Sequence, residues 1–167
     1  MSKSLDNLKT AFAGESMANR RYLAFAKKAD QDGFPGIAKL FRGAAAAETV
    51  HATNHLRAME GIKGTADNLQ VAIAGENYEV VTMYPTMHAE AVEEDDKRAM
   101  QTFNYALSVE KIHEMLYRQA AESLSQGKDI PEVEYYVCPT CGNTHIGPME
   151  GRCPICNTPG EKFEKIA

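Results

Sequence analysis

The sequence predicts an all-α four-helix bundle followed by a small domain that folds around a metal ion. Apolar or small residues recur every three or four positions through most of the first 126 residues, and metal-binding side chains interrupt the same stripes. Four cysteines are confined to residues 138–156. With 167 residues, 44% of them hydrophobic, the chain is long enough to bury a core.

The first two helices follow from these apolar stripes. One face of the first helix carries small or apolar residues from Leu5 to Ala29, and Gly33 with Pro35 ends it. The stripe of the second helix runs from Ile37 to Ile62. The chain therefore begins with a predicted helical hairpin.

Two further helices are predicted after the hairpin. The third starts near Asp67, a candidate N-cap, and Pro85 is expected to kink or break it because proline has no backbone N–H. The fourth runs from about Asp96 to Gln126, and Gly127 caps it. Residues 127–134 lose the helical periodicity, so we predict one domain over 1–134 and a second over 135–167.

Charge and composition exclude several classes of partner. The net charge of −5 is spread along the chain without a basic stripe, so nucleic acid is not an expected partner. No signal peptide and no run of about 18 apolar residues is present, so we expect a cytoplasmic protein without membrane contact. Because disulfides are rare in the cytoplasm, the cysteines are expected to bind metal.

The helical part contains an internal repeat with an offset of about 61 to 62 residues. Ala13-Gly14-Glu15 recurs as Ala74-Gly75-Glu76. Phe41, Glu48 and His51 recur as Phe103, Glu110 and His113. The bundle is therefore predicted to be a duplicated helix pair.

Seven candidate metal ligands lie on the inward stripes: Glu15, Glu48, His51, Glu76, Glu79, Glu110 and His113. Five buried carboxylates need cations to neutralise them, and two divalent ions would do so. A single Glu-x-x-His pair is more often a solvated helix face. Two pairs in register, with further glutamates, are typical of di-iron bundles, and such ligands suit iron or manganese.

Other polar side chains on these stripes are candidates for a supporting role. Tyr22 and Tyr84 could bond a ligating carboxylate, although each is equally consistent with a plain core tyrosine. Asn19 and His55 could also face the site, or they could be satisfied polar groups of the core.

The cysteines form two Cys-x-x-Cys knuckles, Cys138 with Cys141 and Cys153 with Cys156. Four thiolates close a tetrahedral site that accepts zinc or iron, and the spacing does not distinguish them. Gly142 and Asn157 follow the knuckles, where a left-handed turn could aim N–H groups at sulfur.

The runs FAGESMANRRY, AETVH, AGENYEVVTMYP and VEKIH, with the terminal CPTCG and CPIC, resemble the rubrerythrins over almost the whole chain. The resemblance implies a ferritin-like bundle fused to a rubredoxin-like β domain. It also implies that the seven ligands above hold two irons and that the four cysteines hold a third.

The resemblance further implies a peroxidase that reduces hydrogen peroxide to water in oxidative-stress defence. One iron would exchange Glu79 for His51 on reduction, which gives these two residues, with Tyr22 and Tyr84, candidate catalytic roles. Electrons would pass through the rubredoxin-like iron from an external NAD(P)H-linked reductase or a rubredoxin, since the chain has no Gly-x-Gly-x-x-Gly motif. A ferroxidase or dioxygen scavenger, and a zinc-ribbon binding module, remain alternatives.

The ferritin-like topology also predicts a homodimer with exchanged helices. The second and third helices run parallel there, so their connection must return about 33 Å. Residues 61–66 reach only about 20 Å when extended. We therefore expect helices one and two to pack with helices three and four of a partner, unless frayed helix ends allow an intact crossover. By analogy alone, electron transfer from the cysteine iron is expected between chains.

Overall fold

The computed structural model describes residues 2–166. The helices are α1 (Lys3–Gln31), α2 (Pro35–Ala58), α3 (Thr65–Tyr78), α4 (Tyr84–Glu93) and α5 (Lys97–Ser125). The strands are β1 (Tyr135–Val137), β2 (Thr144–Ile146) and β3 (Glu164–Lys165), in the antiparallel order β2-β1-β3. None of the helices in the described residues is both long and apolar enough to cross a membrane.

The chain divides into two compact units, one up to Lys63 and one from Gly64 onward. The first unit is the α1–α2 hairpin, and the second contains α3, α4, α5 and the cysteine-rich tail. The domain boundary predicted between residues 134 and 135 lies in the segment that joins α5 to β1, and it stays a prediction.

Small side chains form the seam of the hairpin. Its buried residues include Ala26, Ala38, Ala45 and Ala52, which allow the two helix backbones to approach closely. Helix α2 ends at Ala58, earlier than the predicted Ile62. The reason is local, because Glu60 takes a left-handed φ of 52° and the N–H of Gly61 bonds to the Leu56 carbonyl.

A break of the third helix at Pro85 was expected, but the helix continues past this residue. A π-helical turn over Glu79–Met83 joins α3 directly to α4, and Pro85 lies in the first turn of α4, where its missing N–H is tolerated. Asp67 is not the N-cap of α3, which is Gly64, but it lies in the first turn, where a carboxylate is favoured. Asp96 caps α5, and Gly127 follows its end with a φ of 70°.

The tail has a core of its own. Cys138, Cys153 and Phe163 are buried there, and Tyr136 packs against them. A Cβ added at Gly160 would collide with the carbonyl oxygen of Met149, and this backbone atom cannot rotate away as a side chain could.

We expect Gly160→Ala to destabilise the tail by about 1–3 kcal/mol, because the backbone must shift to accept the methyl group. The measurement is the guanidinium concentration at which the visible band of the iron-loaded cysteine site disappears. Gly75→Ala is the control, since nothing lies within 4 Å of its added methyl. Equal midpoints for both variants and the parent would contradict the prediction.

Candidate metal centre

The first unit holds one half of the predicted di-iron ligand set. Glu15 on α1 and Glu48 and His51 on α2 bring one ligand atom each within 4.8 Å of one another. Glu48 and His51 are three residues apart and project from one helical face, which places His51 Nδ1 2.9 Å from Glu48 Oε2. The Glu48 side chain is 18% exposed, whereas the His51 ring is 53% exposed.

The second unit repeats this arrangement. Glu76 on α3 and Glu110 and His113 on α5 form a second group of three within 4.8 Å. His113 Nδ1 lies 2.7 Å from Glu110 Oε2 and 3.9 Å from Glu76 Oε1. Glu79, the first residue of the π-helical turn, lies near enough for Glu110 and His113 to shift its pKa.

Aromatic packing supports the predicted repeat. The Tyr22 ring lies 6.1 Å from Phe41 in the first unit, and the Tyr84 ring lies 6.3 Å from Phe103 in the second. The two units therefore share both their ligand pattern and the tyrosine–phenylalanine pair beside it.

The carboxylates of the second unit repel one another in the absence of metal. Burial, followed by a hydrogen bond to Glu110 and the charges of neighbouring glutamates, raises the pKa of Glu76 from 4.5 to about 7. Burial and the Glu110 charge also raise the pKa of Glu79, while His113 acts to lower it. A bound cation would replace the proton that this cluster otherwise retains.

The raised pKa of Glu76 makes the metal-free protein less stable as pH increases. The folded carboxyl keeps its proton above the unfolded value of 4.5, so its stabilisation is complete below that pH and is lost as pH rises through about 7. We expect the melting temperature of metal-free protein to fall between about pH 5 and pH 8. Glu76→Gln should flatten this profile, and an unchanged slope in that variant would contradict the assignment.

The two candidate tyrosines differ in their surroundings. Burial, and then the charges of Glu79, Glu110 and Glu76, raise the pKa of Tyr84, so its hydroxyl stays protonated beside the carboxylate cluster. The Tyr22 ring packs against Phe41 and also lies 6.4 Å from Phe25.

The other two polar candidates are Asn19 and His55. Asn19 donates to the Ala45 carbonyl and to Thr49, so it is a hydrogen-bonded core amide that holds α1 to α2. His55 lies half-buried on α2.

The four cysteines converge in the tail. Cys138 Sγ lies 3.5 Å from Cys156 Sγ, and Cys141 Sγ lies 3.6 Å from Cys153 Sγ. These separations are close to the roughly 3.8 Å between thiolates around a tetrahedral metal ion with bonds of about 2.3 Å. The cluster therefore fits a single four-coordinate metal.

The knuckles have the predicted left-handed residues, and these turns aim neighbouring N–H groups rather than their own at sulfur. Gly142 and Asn157 have φ values of 82° and 63°, yet their N–H groups bond to the carbonyls of Cys138 and Cys153. The left-handed residue closes each turn, so other N–H groups face sulfur. Although burial acts to raise it, the pKa of Cys153 is lowered by the N–H groups of Cys156 and Ile155.

Two side chains near the metal sites were not identified from the sequence. Thr144 Oγ1 lies 2.8 Å from His113 Nε2, and the buried Asn143 amide lies 3.7 Å from Cys153 Sγ. Helical periodicity carries no information about where the tail lies on α5, so no sequence signal indicated the first contact.

The ligand sets fit the metals that the sequence predicts. Each unit offers two carboxylates and an imidazole in one cluster, the donors that suit iron or manganese, and the predicted seventh ligand, Glu79, lies outside both clusters but close enough to Glu110 for its pKa to be shifted. His113 Nδ1 and Glu110 Oε2 lie 2.7 Å apart, at hydrogen-bond distance within the same cluster.

Comparison with known proteins agrees with this chemistry. The family model for rubrerythrin matches residues 6–121. Rubrerythrin-2 of Clostridium acetobutylicum is 38% identical, covering 95% of this chain and 94% of its own length. Nigerythrin of Nitratidesulfovibrio vulgaris is 33% identical, covering 96% of this chain and 85% of its own length.

Solved structures give the same relationship. Nigerythrin in its mixed-valent state covers 99% of this chain and 88% of its own, with 32% identity and a TM-score of 0.56. Nigerythrin in its fully reduced, all-ferrous state matches with the same values. The predicted combination of a helical ferritin-like part with a small rubredoxin-like sheet is thereby confirmed. The chain belongs to the rubrerythrin family of di-iron oxidoreductases, in which a carboxylate–histidine di-iron site is combined with a four-cysteine iron site.

Proposed function

We propose that this protein is a peroxidase that reduces hydrogen peroxide to water in oxidative-stress defence. The observation that carries the proposal is that the four-cysteine tail packs against the second group of three candidate ligands, Glu76, Glu110 and His113. Thr144 of the tail touches His113, so an iron able to carry electrons would lie beside a ligand of the di-iron site. A protein that only stores iron has no need of such a neighbour.

The reaction requires two electrons and two protons for each peroxide, because breaking the O–O bond releases two water molecules. When bound, the two ferrous ions supply both electrons and act as Lewis acids toward the separating oxygens. The protein must supply the protons. The Tyr84 hydroxyl stays protonated beside three glutamates, and the Glu79 carboxyl has a raised pKa, so these two groups are the proposed proton donors.

The two histidines are held differently, which supports an exchange of Glu79 for His51 on reduction. His113 is anchored at both ring nitrogens, by Glu110 and by Thr144. The more exposed His51 ring contacts Glu48 through Nδ1, and its Nε2 has no hydrogen-bond partner among residues 2–166. Within one chain, His51 is therefore held at one ring nitrogen and His113 at two.

Electrons are proposed to enter through the tail from an external NAD(P)H-linked reductase or a rubredoxin. The knuckle residues Pro139, Thr140 and Pro154 are exposed, so a donor protein can approach the cysteine site closely. Two successive one-electron transfers would then restore the di-iron site after each peroxide.

The proposal is tested by anaerobic titration of the fully reduced protein. We expect peroxide to be consumed in the ratio of one molecule for every two electrons held by the protein, with water as the product. Added ferrous ion should be neither oxidised in bulk nor retained. Catalytic oxidation and storage of excess ferrous ion under air, with little response to peroxide, would instead support the ferroxidase reading.

The proposed assembly is a homodimer in which the α1–α2 hairpin of one chain completes the site of its partner. Glu48 lies ten residues before the end of α2, and Glu76 lies eleven after the start of α3, so a parallel arrangement needs a return of about 31 Å. Residues 59–64 span at most about 25 Å, and the left-handed Glu60 shortens this further.

Exposed apolar side chains also support this assembly. The hairpin buries mainly alanines in its own seam, while Phe25, Leu40 and Val50 are 48%, 72% and 57% exposed. A two-helix hairpin with so little core needs a further apolar surface to be stable. The α3–α5 surface of a second copy, which carries the complementary half of the ligand set, is the proposed partner.

Complementation distinguishes exchange from a self-contained chain. One tagged chain carries Glu48→Ala and the other carries Glu110→Ala, and the mixed dimer is isolated through both tags. With exchange, one site collects both substitutions and the other collects neither, so iron binding and peroxide reduction should return to about half of the parent values. Each variant alone should be inactive. A mixed dimer as inactive as its parents would contradict the exchange.

A further inference from the structure

Thr144 and His113 form a contact that joins the two metal sites within one chain. His113 is on α5 and Thr144 is on β2, and both lie in the second compact unit. The Thr144 hydroxyl oxygen is 2.8 Å from His113 Nε2 and 3.3 Å from the carbonyl oxygen of Gly142. Gly142 directly follows the cysteine ligand Cys141.

The two bonds of this hydroxyl favour an N–H at Nε2 of His113. A threonine hydroxyl has one hydrogen, and the Gly142 carbonyl can only accept, so the hydroxyl donates to Gly142. Its oxygen is then the acceptor for His113, which requires an N–H at Nε2. His113 Nδ1 shares a proton with Glu110 Oε2 at 2.7 Å, and it is the ring nitrogen that a bound metal ion would take in place of that proton.

The surroundings of the contact favour its persistence. The His113 side chain is only 29% exposed. Beside it lies a cavity of about 440 Å³ whose lining includes Leu116, Val137 and Ile166. Hydrogen bonds are stronger in such an apolar environment than in water.

We propose that Thr144 is a positioning residue for His113. Its hydroxyl holds the imidazole by Nε2–H and turns Nδ1 toward the di-iron site of the same unit. The hydrogen bond that positions His113 therefore forms only when the four-cysteine tail is folded. The inference rests on His113 being an iron ligand, as proposed above, and on the contact between β2 and α5.

Ferrous-ion affinity tests the proposal in full-length protein whose cysteine site is loaded with iron and whose di-iron site is empty at the start. Loss of a supporting hydrogen bond to a metal-binding histidine typically weakens binding about 10- to 100-fold, and we expect this for Thr144→Val. Thr144→Ser restores the hydroxyl and should bind like the parent. Thr10→Val, which alters an exposed hydroxyl bonded only to the Asp6 carbonyl, is the control.

A second readout is the ring N–H proton of His113, observed by nuclear magnetic resonance with diamagnetic zinc in both sites. The Nε2–H should be protected from exchange with water in the parent and in Thr144→Ser, and should exchange rapidly in Thr144→Val. Affinity within twofold of the parent, an equally protected proton, or loss of the cysteine–iron band in Thr144→Val would overturn the proposal.

His113→Ala separates this inference from the proposed function. If His113→Ala weakens ferrous binding and Thr144→Val does not, the positioning role is wrong while the ligand assignment stands. If His113→Ala binds as tightly as the parent, the ligand assignment is wrong and the positioning role is overturned with it.

Discussion

Replacing Glu110 by glutamine is expected to reduce peroxide turnover by at least about a hundredfold and to prevent the protein from retaining two irons. Glu110 is 16% exposed, contacts His113 at 2.7 Å and shifts the pKa of Glu76, Glu79 and Tyr84. An amide keeps the size of the side chain but removes the charge that balances a divalent cation. Iron content and turnover of the purified variant are the measurements.

Glu114→Gln provides a matched control one turn along the same helix. Glu114 is 14% exposed and accepts hydrogen bonds from Arg118 and Asn77. It is therefore a carboxylate of similar burial that already has its own cationic partner. We expect near-parental iron content and turnover in this variant. If the two glutamate variants lose iron equally, the assignment of Glu110 as a ligand has no support.

The second large effect is expected from Cys153→Ser. Cys153 is 3% exposed in the small core of the tail, which we expect to fold only with its metal because the core is so small. Turnover driven by an external reductase should fall at least about a hundredfold, because the proposed electron carrier, the cysteine iron, is lost. With ferrous ion at saturating concentration, chemically reduced protein should still consume peroxide in a single turnover.

Zinc substitution separates folding of the tail from electron transfer. Zinc binds four thiolates but does not change oxidation state, so a zinc-loaded tail stays folded and cannot carry electrons. We expect reductase-driven turnover to be lost and ferrous-ion affinity at the di-iron site to stay normal. Undiminished reductase-driven turnover with zinc in the cysteine site would show that electrons bypass the tail.

The helices could be predicted because each is specified by local signals. Asp96 and Gly127 mark the ends of α5, and the repeat places Glu48 with His51 and Glu110 with His113 on equivalent faces. The end of α2 and the π-helical turn could not be predicted in the same way. The first depends on a left-handed Glu60, and the second widens a helix whose apolar pattern continues through it.

The residues of each ligand cluster could also be predicted from the sequence, whereas the hydrogen bond from Thr144 to His113 could not. Spacing places Glu110 and His113 on one face, but the Thr144 contact depends on how the tail packs on α5. That packing brings together residues 31 positions apart in sequence. It also places Thr144 of the cysteine tail against His113 of its own chain. Electron transfer between chains, which was expected by analogy, stays a prediction.

We propose that the di-iron site reduces peroxide with electrons that pass through the cysteine iron. The most direct test of this proposal is rapid mixing of the anaerobically reduced protein with peroxide or, separately, with dioxygen, while the visible band of the ferric tetrathiolate is followed. We expect fast recovery of the band with peroxide and slow recovery with dioxygen. Recovery that is as fast or faster with dioxygen would contradict the proposal.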